Sequence, residues 1–539
     1  MTELVPGQAP PPDYYAKNLG RLVEEVAARH GDLLGPEEQA FVVSWHALTH
    51  PAQRLLARIL SRKGPWIRVD SLRYPEVPST ERALTELQCQ RIIAETPAAP
   101  ADALLKRLTV AELVGSFPTV SIGRKPAIIT ELLSRHSDHA IRRRLQDVYP
   151  WVALRQPQIF DRLLLLFFGS PREDLTTFIL EDLGIRRFEN YPVDEHTRPF
   201  SNGEEVEHYL GVWKCAQWLT ETQWSSDALN AARSMLWAEA PTRSAARMRA
   251  RLLNQMGALF ERKREFDLAL ESYGRSSSHP SRERCIRLFR RLGDEARADA
   301  LVREAAASPR SAAEEDFIAR QLRGRGPATR PIITEHALSV DDIQAIATSS
   351  IEGFACHELA LQGHRAWHLE NQFPLGLAGI LFWEVIFAPV TGAFAHRYQA
   401  GPRDLFWPDF ADRRQQLIEQ RLQVIQDPSR ISDALLETVI AKRGITNRLV
   451  NWNIWDESFA RDLGRVSNPE SLVTLGHHVI THLERARSGF PDLLVIDAEG
   501  GCQFIEVKSP TDQLQPAQRT WLKTLSGLGL RASVRWYRQ

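Results

Sequence analysis

The sequence predicts a chain of several domains that is mostly α-helical and ends in an α/β domain. The chain has 539 residues, which is longer than a domain with a single hydrophobic core usually is, so three or four domains are expected. Apolar residues at helical spacing dominate the chain up to residue 387. Residues 489–525 then change to a strand–turn–strand–helix pattern, which predicts a sheet in the last domain.

The composition indicates an ordinary globular protein of the cytoplasm. It is 43% hydrophobic and 25% charged, and 67 Lys+Arg balance 67 Asp+Glu, so only a local basic face could attract a polyanion. The five cysteines form no CxxC pair, which argues against a structural zinc site or a disulfide framework. We find no signal-peptide pattern and no run of 18 apolar residues, and therefore expect neither secretion nor a membrane span.

Residues 1–95 predict a helical N-terminal domain. A proline-rich start (1–12) precedes three helical patterns and the alternating run WIRVDSL, which suits a short strand. Helices followed by a small strand segment and a basic turn are compatible with a winged-helix-like domain. A plain helical cap is equally compatible with this pattern. Residues 96–103, TPAAPADA, predict a linker.

Residues 96–150 predict a second, smaller module of short helices. The run LTVAELVGSFPTVSIGRKPAIITELLSRH contains two amphipathic helices around a polar turn with Arg124 and Lys125. The module has more Lys and Arg than Asp and Glu, including the run Arg142–Arg144. These basic side chains either lie at a solvated helix end or contact DNA phosphates without reading the base sequence.

Residues 151–330 predict a helical domain with tetratricopeptide-like (TPR-like) repeats. Phe260, Phe266, Ala269 and Tyr273 have the spacing of one such helix pair, and the segment RCIRLFRRLGDEARADALVREAAASP forms a degenerate second unit. Two units cannot form a long solenoid, so they must pack against other helices. The segment RGRGPATRP (323–331) predicts the boundary to a last domain, residues 331–539.

The candidate catalytic residues lie on a predicted hairpin in that last domain. The runs LLVID and CQFIEVK are joined by AEGG, which is a hairpin signal. With the turn near Glu499–Gly500, Asp492 lies opposite residues close to Val507. Glu506 and Lys508 are two residues apart on one strand, so their side chains share a face. The pattern therefore predicts that two carboxylates and a lysine meet.

Such a cluster suits metal-dependent phosphodiester chemistry. Mg²⁺ prefers carboxylate oxygens, water and phosphate oxygens, and the carbonyl of Val507 is a candidate additional ligand. Lys508 could orient the attacking water or stabilise the phosphate in the transition state. Exposed charges on an edge hairpin are the alternative. Phe504 and Trp521 indicate instead that the sheet is covered, and covered carboxylates need a cation or a partner.

These residues resemble the PD-(D/E)xK nucleases, and among them the VRR-NUC domain of the Fanconi-associated nuclease family in a bacterial form. The likeness extends along nearly the whole chain in one domain order. The run HALTHPAQRLLARILSRKGPWIRVDSLRY resembles the family's N-terminal domain, which implies DNA binding, and LTVAEL with RKPAIITELL resembles its SAP-like DNA-binding module. The run GALFERKREFDLALESY resembles its TPR-like region, and HLENQFPLGLAGILFWEVIF resembles the start of its nuclease domain.

The resemblance carries over to particular residues. Asp492, Glu506 and Lys508 match the nuclease triad, and Glu370 matches an upstream acidic residue that completes the metal site. By its own pattern, Glu370 would be a favourable charge in the first turn of the apolar helix that follows it. Gln518 matches a glutamine often present on the helix after the Glu-x-Lys strand.

The resemblance also implies an activity and its partners. We expect a 5′-flap endonuclease and 5′→3′ exonuclease that acts on branched DNA in interstrand crosslink repair, associated with the bacterial nucleoid. Mg²⁺ or Mn²⁺ would be bound by Glu370, Asp492, Glu506 and the carbonyl of Val507. The cysteines cannot build the ubiquitin-binding zinc finger of eukaryotic members, and the sequence names no protein partner. A four-way-junction resolvase and a non-catalytic DNA-binding scaffold remain alternatives.

Overall fold

The structure is a computed structural model, and it describes residues 11, 13–62, 64–95, 99–121, 123–172, 186–221, 226–322, 332–337, 342 and 350–538. The predicted boundary segment 323–331 lies outside these residues, as do residues 1–10 and 96–98. Two compact units are present. One contains residues 1–185 with 201–206, and the other contains residues 186–200 with 207–539.

The N-terminal unit combines helices with a small antiparallel sheet. Its helices are α1 (Tyr14–His30), α2 (Pro36–Ala47), α3 (His50–Leu60), α4 (Thr80–Cys89), α5 (Ala101–Leu105), α6 (Val110–Ser116), α7 (Lys125–Arg135), α8 (Asp138–Val148) and α9 (Pro157–Phe168). Its strands are β1 (Trp66–Arg68), β2 (Ile93–Glu95) and β3 (Trp151–Leu154), in the order β1-β3-β2. Strands β1 and β2 precede residues 96–150 and β3 follows them, so the sheet connects segments from both sides of that module. The N-terminal domain is therefore not a purely helical cap.

Two local predictions in this unit need correction. The strand predicted over WIRVDSL ends at Arg68, and Val69–Ser71 form a 3₁₀ turn instead. The predicted linker 96–103 is too long, because α5 begins at Ala101. That helix forms because Ala101, Leu104 and Leu105 are almost fully buried in the core of this region. The two helices predicted around Arg124 and Lys125 are present as α6 and α7.

Consecutive helices occupy much of the chain from 203 to 322. They are α10 (Gly203–Glu221), α11 (Ser226–Trp237), α12 (Arg243–Arg262), α13 (Phe266–Gly274), α14 (Ser281–Arg291), α15 (Glu295–Ala307) and α16 (Ala312–Leu322). Phe260, Ala269 and Tyr273 are buried in one apolar cluster with Phe266 packed against it. The helix pair predicted from their spacing is therefore present as α12 and α13.

The C-terminal part of the second unit is a mixed sheet covered by helices. Its strands are β4 (Ile332–Ala337), β5 (Arg365–His368), β6 (Leu493–Ile496), β7 (Cys502–Lys508) and β8 (Arg531–Arg538), in the order β4-β8-β7-β6-β5. Its helices are α17 (Ile351–Leu361), α18 (Gln372–Leu381), α19 (Trp383–Ile386), α20 (Gln415–Ile425), α21 (Pro428–Lys442), α22 (Glu457–Gly464), α23 (Glu470–Thr481) and α24 (Pro516–Gly527). The predicted class, mostly α with a C-terminal α/β domain, is confirmed.

Both faces of this sheet are buried, which explains the apolar character of its central strands. One face packs on α17 through Val495, Ile505 and Val507. The other face places Phe504 in a large apolar cluster that also contains Trp521 of α24. Alternate residues of β7 therefore enter two different cores, as the period of two in a strand requires. The prediction that the hairpin is covered was correct.

The apolar run that opens this domain forms buried helices. α18 and α19 divide it at Phe382, and nearly all of its side chains are buried, with Glu384 the charged exception. None of the helices in the described ranges has the length and apolar character needed to cross a lipid bilayer.

Close packing of α12 on α13 gives a first prediction. A Cβ atom on Gly257 would lie 2.6–2.8 Å from the ring of Tyr273, which is only 2% exposed. Gly257→Ala should therefore reduce the free energy of unfolding by about 1–3 kcal/mol through overpacking. The control Gly274→Ala adds a methyl where no atom lies within 4 Å. Urea unfolding of both variants checks this, and equal stabilities would contradict it.

Candidate active site

The β6–β7 hairpin brings the two acidic residues of the predicted triad together. Leu493 pairs with Ile505, so Asp492, one residue earlier, faces Glu506 across the ladder. The backbone N–H of Val507 donates to Oδ2 of Asp492 at 2.7 Å, which fixes this carboxylate at the open end of the hairpin. Asp492 therefore lies where the hairpin pattern predicted.

Lys508 and Gln518 both contact the carboxylate of Glu506. Nζ of Lys508 lies 2.8 Å from Oε1 of Glu506, and the side-chain amide of Gln518 donates to the same oxygen. Gln518 is itself fixed, since its Oε1 accepts the backbone N–H of Gln515 in a capping box at the start of α24. The helix that follows β7 therefore positions a donor on Glu506.

The two carboxylates are held in an environment that disfavours their charge. Glu506 is fully buried, and burial together with the charge of Asp492 raises its pKa to about 8, against the opposing effect of Lys508. Burial also raises the pKa of Asp492, and Glu352 and Glu370 add to the effect. Within the described part of the chain, Oε2 of Glu506 has no hydrogen-bond partner.

Glu370 reaches the same site from a turn. The structure corrects the expectation that it begins the apolar helix, because α18 starts at Gln372 and Glu370 has a left-handed backbone, with φ of +46°. Its N–H and that of Leu369 both donate to the carbonyl of Asp492, at 3.2 and 3.0 Å. These bonds form the turn and aim the half-exposed side chain of Glu370 at the hairpin.

A histidine that the sequence did not single out completes the cluster. Side-chain atoms of His368, Glu370 and Asp492 that could bind a metal all lie within 4.8 Å of one another. Glu506 is not in this group, and its Oε1 contacts Lys508 and Gln518 instead. The residues at this end of the hairpin fit a hard divalent cation, since neighbouring buried carboxylates with an unpaired oxygen gain from a positive charge.

Two protein-family models match parts of this chain. A model of the FAN1 HTH domain matches residues 13–94, and a model of the VRR-NUC domain matches residues 426–535. The Fanconi-associated nuclease 1 homologue of Pseudomonas aeruginosa is 30% identical, over 95% of this chain and 94% of the relative. The homologue of Oryza sativa subsp. japonica is 25% identical, over 96% of this chain but only 62% of its own length.

The fold has a counterpart among solved structures. A crystal structure of paFAN1 bound to 2-nt 5′-flap DNA with a gap matches with a TM-score of 0.86 and 28% identity, covering 98% of this chain and 99% of that one. The VRR-NUC match and this likeness define the chain as a DNA nuclease. It belongs to the Fanconi-associated nuclease family, as the resemblance in the sequence predicted.

The paired carboxylates predict an unusual pH dependence of stability. Without metal, folded Glu506 keeps a proton up to a pKa of about 8, whereas the unfolded chain releases it near the ordinary value of 4.5. The folded state therefore binds more protons, and this group's contribution to stability falls as pH rises toward 8. Asp492→Asn removes the repulsion and should stabilise the metal-free protein at pH 8 by about 1–2 kcal/mol. Urea unfolding in EDTA at pH 6.5 and 8 checks this.

Asp497→Asn is the matched control. The carboxylate of Asp497 lies 2.6 Å from Arg531, whose hydrogen bond lowers its pKa, so here the same substitution should destabilise the protein. Effects of the same sign at the two positions would contradict our interpretation of the Asp492–Glu506 pair.

Proposed function

We propose that this protein is a metal-dependent, structure-specific nuclease that cuts branched DNA at 5′ flaps. The observation that carries the proposal is the full-length likeness to paFAN1, whose structure contains 5′-flap DNA. The acid–lysine cluster on the hairpin supplies the chemistry such cleavage needs. The 5′→3′ exonuclease activity and the role in interstrand crosslink repair, both implied by the family resemblance, belong to the same proposal.

The proposed metal site uses oxygen ligands from the turn at Glu370 and from the hairpin. Glu370 from the turn, Asp492 and Glu506 from the hairpin, and the carbonyl of Val507 would hold Mg²⁺ or Mn²⁺. A bound ion of this kind lowers the pKa of water and neutralises charge on the scissile phosphate.

Lys508 and Gln518 would assist the reaction without binding the metal. The ammonium group of Lys508 lies against Glu506, where it can orient the attacking water and stabilise negative charge that develops on the phosphate. Gln518 acts as a positioning residue, because its amide holds Glu506 through the hydrogen bond to Oε1. Both side chains are fixed by contacts within the fold, so little reorganisation is needed during reaction.

The N-terminal two-thirds of the chain would bind the duplex arms. We propose the domains 1–95, a SAP-like module at 96–150, a TPR-like domain at 151–330 and the nuclease domain at 331–539. In the SAP-like module, Arg142 is paired with Asp138, whereas Arg124 and Arg143 are exposed. The two exposed arginines are therefore the better candidates for phosphate contacts.

Cleavage of a 5′-flap duplex with Mn²⁺ tests the nuclease proposal. Lys508→Met should lower the cleavage rate by about 10²–10³-fold, because charge on the reacting phosphate is no longer compensated. DNA binding should change little. Lys523→Met is the matched control, since Lys523 is exposed on α24 and lies outside the cluster.

Two outcomes would replace the proposal with its alternatives. If the wild-type protein leaves the flap uncut yet binds it as tightly as Asp492→Ala does, the protein is a DNA-binding scaffold. If an intact four-way junction is cut faster than the flap, and by a dimer, the protein is a resolvase.

Salt dependence tests the SAP-like module. Each of Arg124→Ala and Arg143→Ala should weaken flap binding and reduce the slope of log affinity against log salt by about 1, because one phosphate contact and its released counterion are lost. Arg142→Ala, which removes an arginine already paired with Asp138, should reduce the slope less. Fluorescence anisotropy at several salt concentrations measures the slopes. If all three variants have the same slope as the wild-type protein, this module is not part of the DNA interface.

A further inference from the structure

His368 lies at the end of the sheet where the acidic cluster is found, and it is held there because β5 pairs with β6. It is the last residue of β5 and pairs with Leu493, the residue after Asp492. Its Nε2 lies 3.0 Å from Oε1 of Glu370. The side chain of His368 is 37% exposed, so a solvated cation and a DNA phosphate could both reach it.

We propose that His368 is a nitrogen ligand of the active-site cation and that it favours Mn²⁺ over Mg²⁺. The inference rests on the proposed metal-dependent function. Two neighbouring ligands of an octahedral ion, each at about 2.1 Å, lie about 3.0 Å apart. The Nε2–Oε1 separation of His368 and Glu370 has this value. Asp492 offers a third atom within 4.8 Å.

A simple histidine–glutamate pair does not account for this arrangement. Glu370 is held at φ of +46°, and a left-handed backbone costs a residue other than glycine about 1–3 kcal/mol. Its side chain is 52% exposed, and ion pairs at exposed positions contribute only about 0–1 kcal/mol. The backbone hydrogen bonds of Leu369 and Glu370 to the carbonyl of Asp492 hold the turn, and the exposed histidine–glutamate pair adds little to them. A shared cation supplies a reason for aiming Glu370 back toward His368 and Asp492.

The type of ligand decides which cation benefits. Mg²⁺ prefers oxygen ligands and retains its waters, whereas a transition metal such as Mn²⁺ binds imidazole more readily. An imidazole beside two carboxylates therefore raises the affinity for Mn²⁺ more than that for Mg²⁺.

Electron spin-echo spectroscopy of the Mn²⁺-loaded, full-length protein tests the proposal directly. A nitrogen bound to Mn²⁺ gives a characteristic ¹⁴N modulation, which should change when the histidines are labelled with ¹⁵N. His368→Gln should abolish the modulation and weaken Mn²⁺ binding by about 10–100-fold, with a smaller effect on Mg²⁺. The control His357→Gln removes an exposed histidine outside the cluster and should change neither.

The outcomes separate this inference from the proposed function. Mn²⁺ binding and flap cleavage by a wild-type protein without a directly bound nitrogen would overturn the role of His368 and leave the nuclease proposal intact. Absence of both Mn²⁺ binding and cleavage would overturn both. The labelling measurement uses only the wild-type sequence, so a folding defect in His368→Gln cannot obscure the result.

Discussion

The register between β6 and β7 is the constraint on which the active site depends. It places Asp492 opposite Glu506 and turns Lys508 to the same face. A shift by one residue would exchange Glu506 with Ile505 or Val507, because side chains alternate along a strand. The register is held by burial on both faces of the sheet, where two apolar clusters receive alternate residues of β7. Packing of ordinary hydrophobic residues thus fixes the position of the reactive ones.

This register has an energetic cost that the surroundings only partly offset. Glu506 is buried beside the half-buried Asp492, whose charge raises the pKa of Glu506, and burial raises the pKa of both carboxyls. Lys508 supplies one positive charge and Gln518 one hydrogen bond, both at the same oxygen of Glu506. The remaining carboxylate oxygen has no partner among the described residues. A site of this kind lowers the stability of the metal-free protein and binds a cation favourably. The same two carboxylates therefore affect both stability and metal binding.

The site has an inner and an outer part, supplied by different elements. Glu506, Lys508 and Gln518 form the buried inner part, built from β7 and α24. His368 and Glu370 form the outer part, at the junction of β5 and α18, and Asp492 joins the two. The inner part holds its groups rigidly, whereas the outer part is open to solvent. In our proposal DNA and cation therefore approach from the side of His368 and Glu370.

Local sequence patterns were enough to predict the hairpin, the buried apolar helices and the grouping of Asp492, Glu506 and Lys508. Periods of 2 and 3.6 residues and the AEGG turn are local signals, and they carry these features. Glu370 and Gln518 came from family resemblance, since nothing local distinguishes them. The three-dimensional structure was needed to show that His368 lies in the cluster and that Glu370 has a left-handed backbone. Both depend on pairing of β5 with β6, more than 100 residues away, and a short strand leaves no periodic trace of such a partner.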